Sequence, residues 1–484
     1  MIQTPLPVIS SSPCRASFRT AALLGSFLVT GCATFHGYNV ELTRTIDLVR
    51  VGAIDRAVAT HDRSGRGSKK ELLYYLEKGE LLRLDGRIQD SQAAWFEADK
   101  RVKEWEDTVR AHPERLLRDL GSVLVNDRVR PYEGADFEKV MLTARMALNH
   151  IALGEWDQAR VAIKRTHERE ALVADLRSKQ TIEAEDQARK RGARTNFREL
   201  NGYPVQSIDS PEVNALKNSY QSAFSHYLAG FVYEALGEPS LAAAGYRQAI
   251  ELRPGVGLLE QSLEGLDSRI LNRGAQSTDL LVVLEIGTAP ARVSTNFNLP
   301  IFTDRGLAIA PISVPVIRDL DPMPPVRGVE LDRRPAGDLA LVTSIDLMSR
   351  RQLRDEMPWI MLRAFTRATA KVVVQRQVMR RDDSGLVSAL AIIGSVITEQ
   401  ADERTWRTLP ASVSVARMTL DPGDHMLAVQ VGSARHEFPV NVQGRYALVS
   451  IRILGSQAYI VSPRPEAGRQ AGNKRATGEL VELR

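Results

Sequence analysis

Cysteine is nearly absent from this 484-residue chain: Cys14 and Cys32 are the only two. If the segment ahead of Cys32 is removed and lipid occupies Cys32, neither a free thiol nor a disulfide remains. Cysteine metal centres and thiol catalysis are then excluded, and the fold has to rest on its core rather than on staples. Also missing is any apolar run near the ~20 residues that a permanent bilayer-spanning helix needs. The formal charge of +5 falls by two when Arg15 and Arg19 go with the leading segment. So small an excess, with no basic stretch alternating with aromatics, argues against nucleic acid as a partner. Catalytic signatures are missing too. None of the eight histidines forms a zincin motif or a close pair. There is no Walker loop, no Gly-x-Ser-x-Gly elbow and no Ser-x-x-Lys. Gly255-Val256-Gly257 lacks the third glycine of a dinucleotide loop and follows a helical pattern. Asp382-Asp383-Ser384-Gly385 reads as a turn. The expectation is a protein without cofactor or metal and without enzymatic activity. A catalytic group assembled by folding would leave no such trace, because triads are recognised by geometry.

What is present begins at the amino terminus. Arg15 and Arg19 precede a short apolar run, Ala21 to Val29, and then Thr30, Gly31 and Cys32. A basic flank, a short apolar core and small residues before a cut describe a secretory signal. The stretch Leu28-Val29-Thr30-Gly31-Cys32 resembles the bacterial lipobox. That resemblance implies removal of residues 1–31, lipid on Cys32 and acylation of the new amino group. Several acyl chains anchor stably, since each buried methylene contributes ~0.8 kcal/mol. In a two-membrane bacterium, Ala33 rather than an aspartate implies the outer membrane, facing the periplasm.

Residues 32–272 carry a helical period. Three segments share one order of small and large residues: Gly79, Gly86, Ser91, Trp95 and Ala98; Ala147, Gly154, Ala159, Ile163 and Thr166; Gly230, Gly237, Ala242, Tyr246 and Ala249. A small residue on a first helix, a turn glycine, and then small, large, small on a second helix allow two antiparallel helices to approach closely. The pattern resembles the tetratricopeptide repeat, most closely from Tyr227 to Pro254. Lys164 to Arg194, of intermixed charge, reads as an insert: an exposed extended helix or helical hairpin, or an arm that binds a partner. Ser210-Pro211-Glu212 has the form of a helix start.

Beyond residue 278 the period changes. Leu280 to Leu284 is a buried-strand run, Phe438, Val440 and Val442 alternate, Tyr446 to Leu454 is β-rich, and Asp421-Pro422-Gly423 separates strand candidates Val413–Leu420 and Met426–Val431. A helix is expected from near Pro358 toward Val373. Leu386 to Ile397 is a second apolar helix candidate, buried or else in contact with membrane or partner. The fold class is therefore α followed by α+β: a tetratricopeptide-like helical array over 32–272, a β-rich α+β domain over 278–463, and a flexible tail over 464–484. Ala147 to Val161 and Ala401 to Pro410 make the chain similar to an uncharacterised family of proteobacterial lipoproteins with tetratricopeptide-like repeats. The resemblance implies architecture and location but no activity.

The leading expectation is a lipid-anchored adaptor or scaffold that offers a helical-repeat groove to a periplasmic protein, because stacked helix pairs make a concave surface. By repeat spacing, Glu80, Arg83, Tyr227, Phe231 and Glu234 would point into that groove. The alternative for these residues is that they cover a neighbouring helix or the second domain. Arg404, Trp406 and Arg407 form a polar-aromatic patch for an anionic or glycan ligand, unless Trp406 is a core anchor. Other functions left open are an envelope ligand-binding protein or enzyme using the carboxy-terminal domain, and a subunit of a membrane-embedded assembly.

Overall fold

The computed structural model describes residues 38–65, 70–112, 131–191, 193, 196–271, 276–303, 306–379 and 400–462. Cys32 and the segment expected as a signal, the apolar stretch 386–397, and residues 464–484, expected as a tail, lie outside the described residues.

Two helices, α1 (Tyr38–Arg50) and α2 (Ile54–Ser64), precede three pairs. The first pair is α3 (Leu72–Leu84) with α4 (Ile88–Ala111), the second α5 (Asp136–Ala152) with α6 (Trp156–Arg191), and the third α7 (Ala223–Ala235) with α8 (Pro239–Leu252). Helices α9 (Gly257–Glu264) and α10 (Leu266–Leu271) close the array. The sequence spacing explains the pairing. Gly79 faces Trp95 so closely that a Cβ would lie 2.2 Å from the indole nitrogen, and Gly230 faces Tyr246 the same way at 2.5 Å. The turn glycines Gly86, Gly154 and Gly237 all have positive φ, which only glycine adopts without strain.

The segment expected as a charged insert is not a separate arm. It continues α6 as one 36-residue helix, whose Arg169, Val173, Leu176 and Ala184 are buried. Arg169 bonds Asp99 and Glu106 of α4, so part of the charge that reads as solvated is internal.

The carboxy-terminal part contains a five-stranded sheet in the order β11-β10-β1-β7-β6. Its strands are β1 (Thr278–Ile286), β6 (Ala340–Ser344), β7 (Ser412–Leu420), β10 (Tyr446–Leu454) and β11 (Gln457–Val461). Within it β1 and β10 are parallel, and the other pairings are antiparallel. A four-stranded sheet, β5-β4-β8-β9, is built from β4 (Val326–Leu331), β5 (Arg334–Pro335), β8 (Gly423–Val431) and β9 (Ala434–Val442). The Asp421-Pro422 turn joins β7 to β8, but the two strands belong to different sheets, so the turn is a corner rather than a hairpin.

Strand alternation sets the layers. Leu281, Val283, Val413, Val415 and Leu448 of the larger sheet pack on the helices, while Leu280, Val282, Leu284, Val449 and Ile451 pack on the smaller sheet. The order is helices, sheet, sheet. Beside this stack the hairpin β2 (Arg292–Thr303) and β3 (Gly306–Ile317) packs on α11 (Ile345–Met379) around Phe297, Ile312, Met357 and Met361. Helix α11 starts well ahead of Pro358, which sits inside it. Among the described residues no helix is long and apolar enough to cross a membrane.

Candidate functional site

The face of the repeats expected to bind a partner is covered by the chain's own sheet. Glu80, Tyr227 and Phe231 are fully buried, and Arg83 and Glu234 are 2% exposed. Each meets a group on the sheet or on a neighbouring helix. Glu80 pairs with Arg145, which pairs in turn with Glu285 of β1. Arg83 donates to Asn149 Oδ1 and to Ser450 Oγ of β10. Glu234 accepts from the Tyr246 hydroxyl (2.6 Å), Arg269 (2.6 Å) and Arg417 of β7 (3.0 Å). Phe231 stacks edge-on with Tyr446 at 5.7 Å. Tyr227 shares a hydrogen bond with Ser262 at 2.9 Å. The groove reading is corrected accordingly. A concave surface lined with mixed charges and aromatics needs a counterpart, and here the larger sheet supplies it intramolecularly.

Two members of the polar-aromatic patch are structural as well. Glu138 accepts hydrogen bonds from the Trp406 amide and the Thr405 hydroxyl, and Glu77 accepts from the amides of Arg407 and Thr408. These two buried carboxylates clamp the 405–408 segment against α3 and α5. Trp406 is fully buried, edge-on to Trp95, with its indole N–H donating to Thr408 Oγ1. Arg404 differs. It remains partly exposed, forks onto Asp402 with two bonds of 2.9 Å, and lies over the Tyr132 ring.

Arg404 stands at the rim of a cleft of about 480 Å³ where the array meets the carboxy-terminal part. Each wall presents one helical or strand stripe. On α11 the stripe is Gln352, Glu356, Trp359 and Arg363, spaced by four, three and four as one helix face requires. From α6 come Arg177 and Gln180, and from the start of α5 come Asp136 and Lys139. The base of the hairpin contributes Arg292, opposite Ile317 in register. Trp105 of α4 forms part of the inner end.

Five cations and four carboxylates line this cleft, and ion pairs organise them. Arg177 bonds Asp136 and approaches Glu356 at 3.5 Å, while Arg292 bonds Glu356 at 3.2 Å. Burial raises the proton affinity of Asp136, but Arg177 and Lys139 outweigh it and hold the carboxyl below its ordinary value. Glu356 is held low in the same way, against burial, by Arg292 and Arg177. Burial pushes the Lys139 ammonium down.

Lys139 is 3% exposed, donates to the Gly134 carbonyl at 2.7 Å, sits 3.6 Å from Asp136 Oδ1 and lies 4.0 Å from the Trp105 ring centre. Asp136 Oδ1 and Trp105 Nε1 are buried and make no hydrogen bond among the described residues. The arrangement suits binding of a polar, charged group. Among the described residues no three His, Cys, Asp or Glu side chains converge as a metal site.

Of the residues lining this cleft, the sequence singled out Arg404 alone as a candidate ligand contact. The lining comes from separate stretches of chain, and within each the charges look like ordinary surface residues. The one local sign was spacing: Glu356 and Arg363 alternate with apolar α11 positions that face the hairpin.

No family model matches the chain, and no curated protein matches it. Among solved structures, the chain is similar to a tetratricopeptide repeat protein from Parabacteroides merdae, at 13% identity and a TM-score of 0.14. That likeness covers 48% of this chain and 98% of the other.

Proposed function

We propose that this chain is a non-catalytic adaptor of the bacterial envelope, anchored by lipid on Cys32, that receives a segment of a partner protein in the cleft beside Arg404. The cleft carries this reading. It is an open concavity of about 480 Å³, lined by charges of both signs and by aromatic rings. Such clefts, rather than flat surfaces, are where proteins hold small groups and chain segments. The repeats act as a rigid frame. Their inner face is occupied by the sheet, and their second helices extend far enough for α6 to form a wall of the cleft.

The membrane part of the proposal rests on the signal-like segment and Leu28 to Cys32, and the non-catalytic part on the lack of catalytic signatures in the sequence. Both parts are tested by capture of the tagged protein from its own envelope, beside Arg404→Glu and Cys32→Ser forms. The proposal expects Cys32→Ser to leave the membrane fraction, or to accumulate unprocessed. It expects Arg404→Glu to stay folded and on the membrane, with a melting temperature lowered by loss of the Asp402 and Glu71 pairs, and to lose the partner. A folded Arg404→Glu protein that retains every captured protein contradicts the cleft as the binding surface.

A further inference from the structure

Among the described residues, the ammonium at the inner end of the cleft has little to bond. Lys139 has three N–H donors, and the Gly134 carbonyl takes one. Its contact with Asp136 Oδ1, at 3.6 Å, is too long for a hydrogen bond. Its third contact is the face of Trp105, a cation–π arrangement. A buried charge with unfilled hydrogen bonds is costly, and native proteins usually complete such groups with a partner. Beside it, the Trp105 indole N–H is a second buried donor without a bond among the described residues, and Asp136 Oδ1 is an acceptor in the same state. Gly134 to Phe137, where helix α5 begins, line the same end, and there Glu138 already accepts from the Ala135 amide while Asp136 adds a second acid to the first turn, so the helix dipole is met within the chain and the side-chain donors carry the site.

Two donors and one acceptor, with Lys139 Nζ 3.6 Å from Asp136 Oδ1 and 4.0 Å from the Trp105 ring centre, describe a specific complement. The donors suit a carboxylate. The acceptor suits an N–H one or two bonds further along the same ligand. A terminal peptide residue carries both, its carboxylate and its own amide N–H. Toward the rim, the Arg177–Glu356–Arg292 and Arg404–Asp402 pairs present both signs to the rest of such a ligand, which matches the alternating donors and acceptors of a peptide backbone. Tyr132 and Trp359 add aromatic surface for side chains.

We infer that the cleft binds the carboxy-terminal residues of a polypeptide, with the terminal carboxylate at Lys139 and Trp105 and the terminal amide N–H on Asp136. This rests on the proposal that the cleft is the binding surface and adds the class of ligand.

The test uses the full lipidated protein in detergent, immobilised, with randomised hexapeptides in two pools. One pool has free carboxy termini, and the other is amidated at that end. Peptides retained are eluted and counted by mass spectrometry. The free-acid pool should be retained at least about ten-fold more than the amidated pool, the size of effect a charge-assisted hydrogen bond supplies. Trp105→Phe keeps an aromatic face beside Lys139 and removes the indole N–H, which bonds nothing among the described residues, together with the five-membered ring. It should remain folded with a lowered melting temperature and lose several-fold of the free-acid preference. Lys139→Gln should abolish that preference.

Equal retention of both pools overturns the chain-end assignment while leaving the cleft as a protein-binding surface. So does complete displacement of the peptides by acetate alone, which would mean a site for a lone carboxylate. Loss of all retention in Arg404→Glu, with acid and amide equal in the wild type, separates failure of this inference from failure of the cleft proposal. Failure of both pools to bind overturns the chain-end assignment as well.

Discussion

Arg145 on α5 pairs with Glu285 on β1, and both side chains are excluded from solvent. Arg145 also forks onto Glu80 of α3, so one guanidinium ties two repeat helices to the sheet. Around it lie Arg83 and Arg452, both pulled down to about 10 by burial and, less strongly, by Arg145. The sheet is therefore tied to the array by buried charge, three guanidiniums around two carboxylates, as well as by apolar contact.

Removing one partner strands the other in a low-dielectric interior. Arg145→Met or Glu285→Gln should each cost about 3–5 kcal/mol, the range for breaking a buried pair. Urea unfolding of the single and double variants measures it. The double variant should lose less than the sum, because each group's main reason for being charged is the other. Purely additive losses would deny the pairing.

The close helix contacts predict a second class of loss. At Gly230 a Cβ would fall 2.5 Å from Tyr246, and Ala249 is fully buried. Gly230→Leu or Ala249→Leu should destabilise by about 1–3 kcal/mol or more through overpacking. A melting curve unchanged by both would remove the basis for the third helix pair.

A histidine on α6 makes stability depend on pH. His167 and His226 stack with ring centres 5.0 Å apart, and Glu170 bonds His226 at 3.0 Å. Burial first, and then His226, lower the His167 pKa below its ordinary 6.5. The folded state thus binds that proton less readily than the unfolded chain does. The stability this group contributes is complete above about pH 6.5 and is lost as pH falls below that value toward the folded pKa. Unfolding free energies between pH 7.5 and 5.5 should fall more steeply for the wild type than for His167→Gln. Parallel slopes would refute the assignment.

The helix pairs were readable because close packing leaves a spacing: Gly79 before Trp95 and Gly230 before Tyr246 repeat one interval. Strand β10 was legible from end to end because nearly all its residues are buried. What covers the array's inner face was not legible. Glu80, Arg83 and Glu234 look like surface charges, as most charges are. The sign that they are internal lay in the strands. Glu285, Arg417 and Arg452 interrupt otherwise apolar runs, and a charge inside a buried strand needs a buried partner. Pairing these with helix residues far away in sequence takes the parallel β1–β10 register, which no local pattern encodes. The cleft was hidden for the same reason, since its donors and acceptors converge only when α4, α5, α6, α11 and the hairpin come together.

Site-specific photocrosslinking in living cells tests the central proposal most directly. A photoreactive residue placed at Glu133, exposed on the cleft's rim, is compared with one at Met426, exposed on the outer sheet. If the cleft receives a partner, Glu133 yields a discrete crosslinked species on the membrane that disappears with Arg404→Glu, and Met426 yields none. A crosslink at Met426 with none at Glu133 would contradict the account.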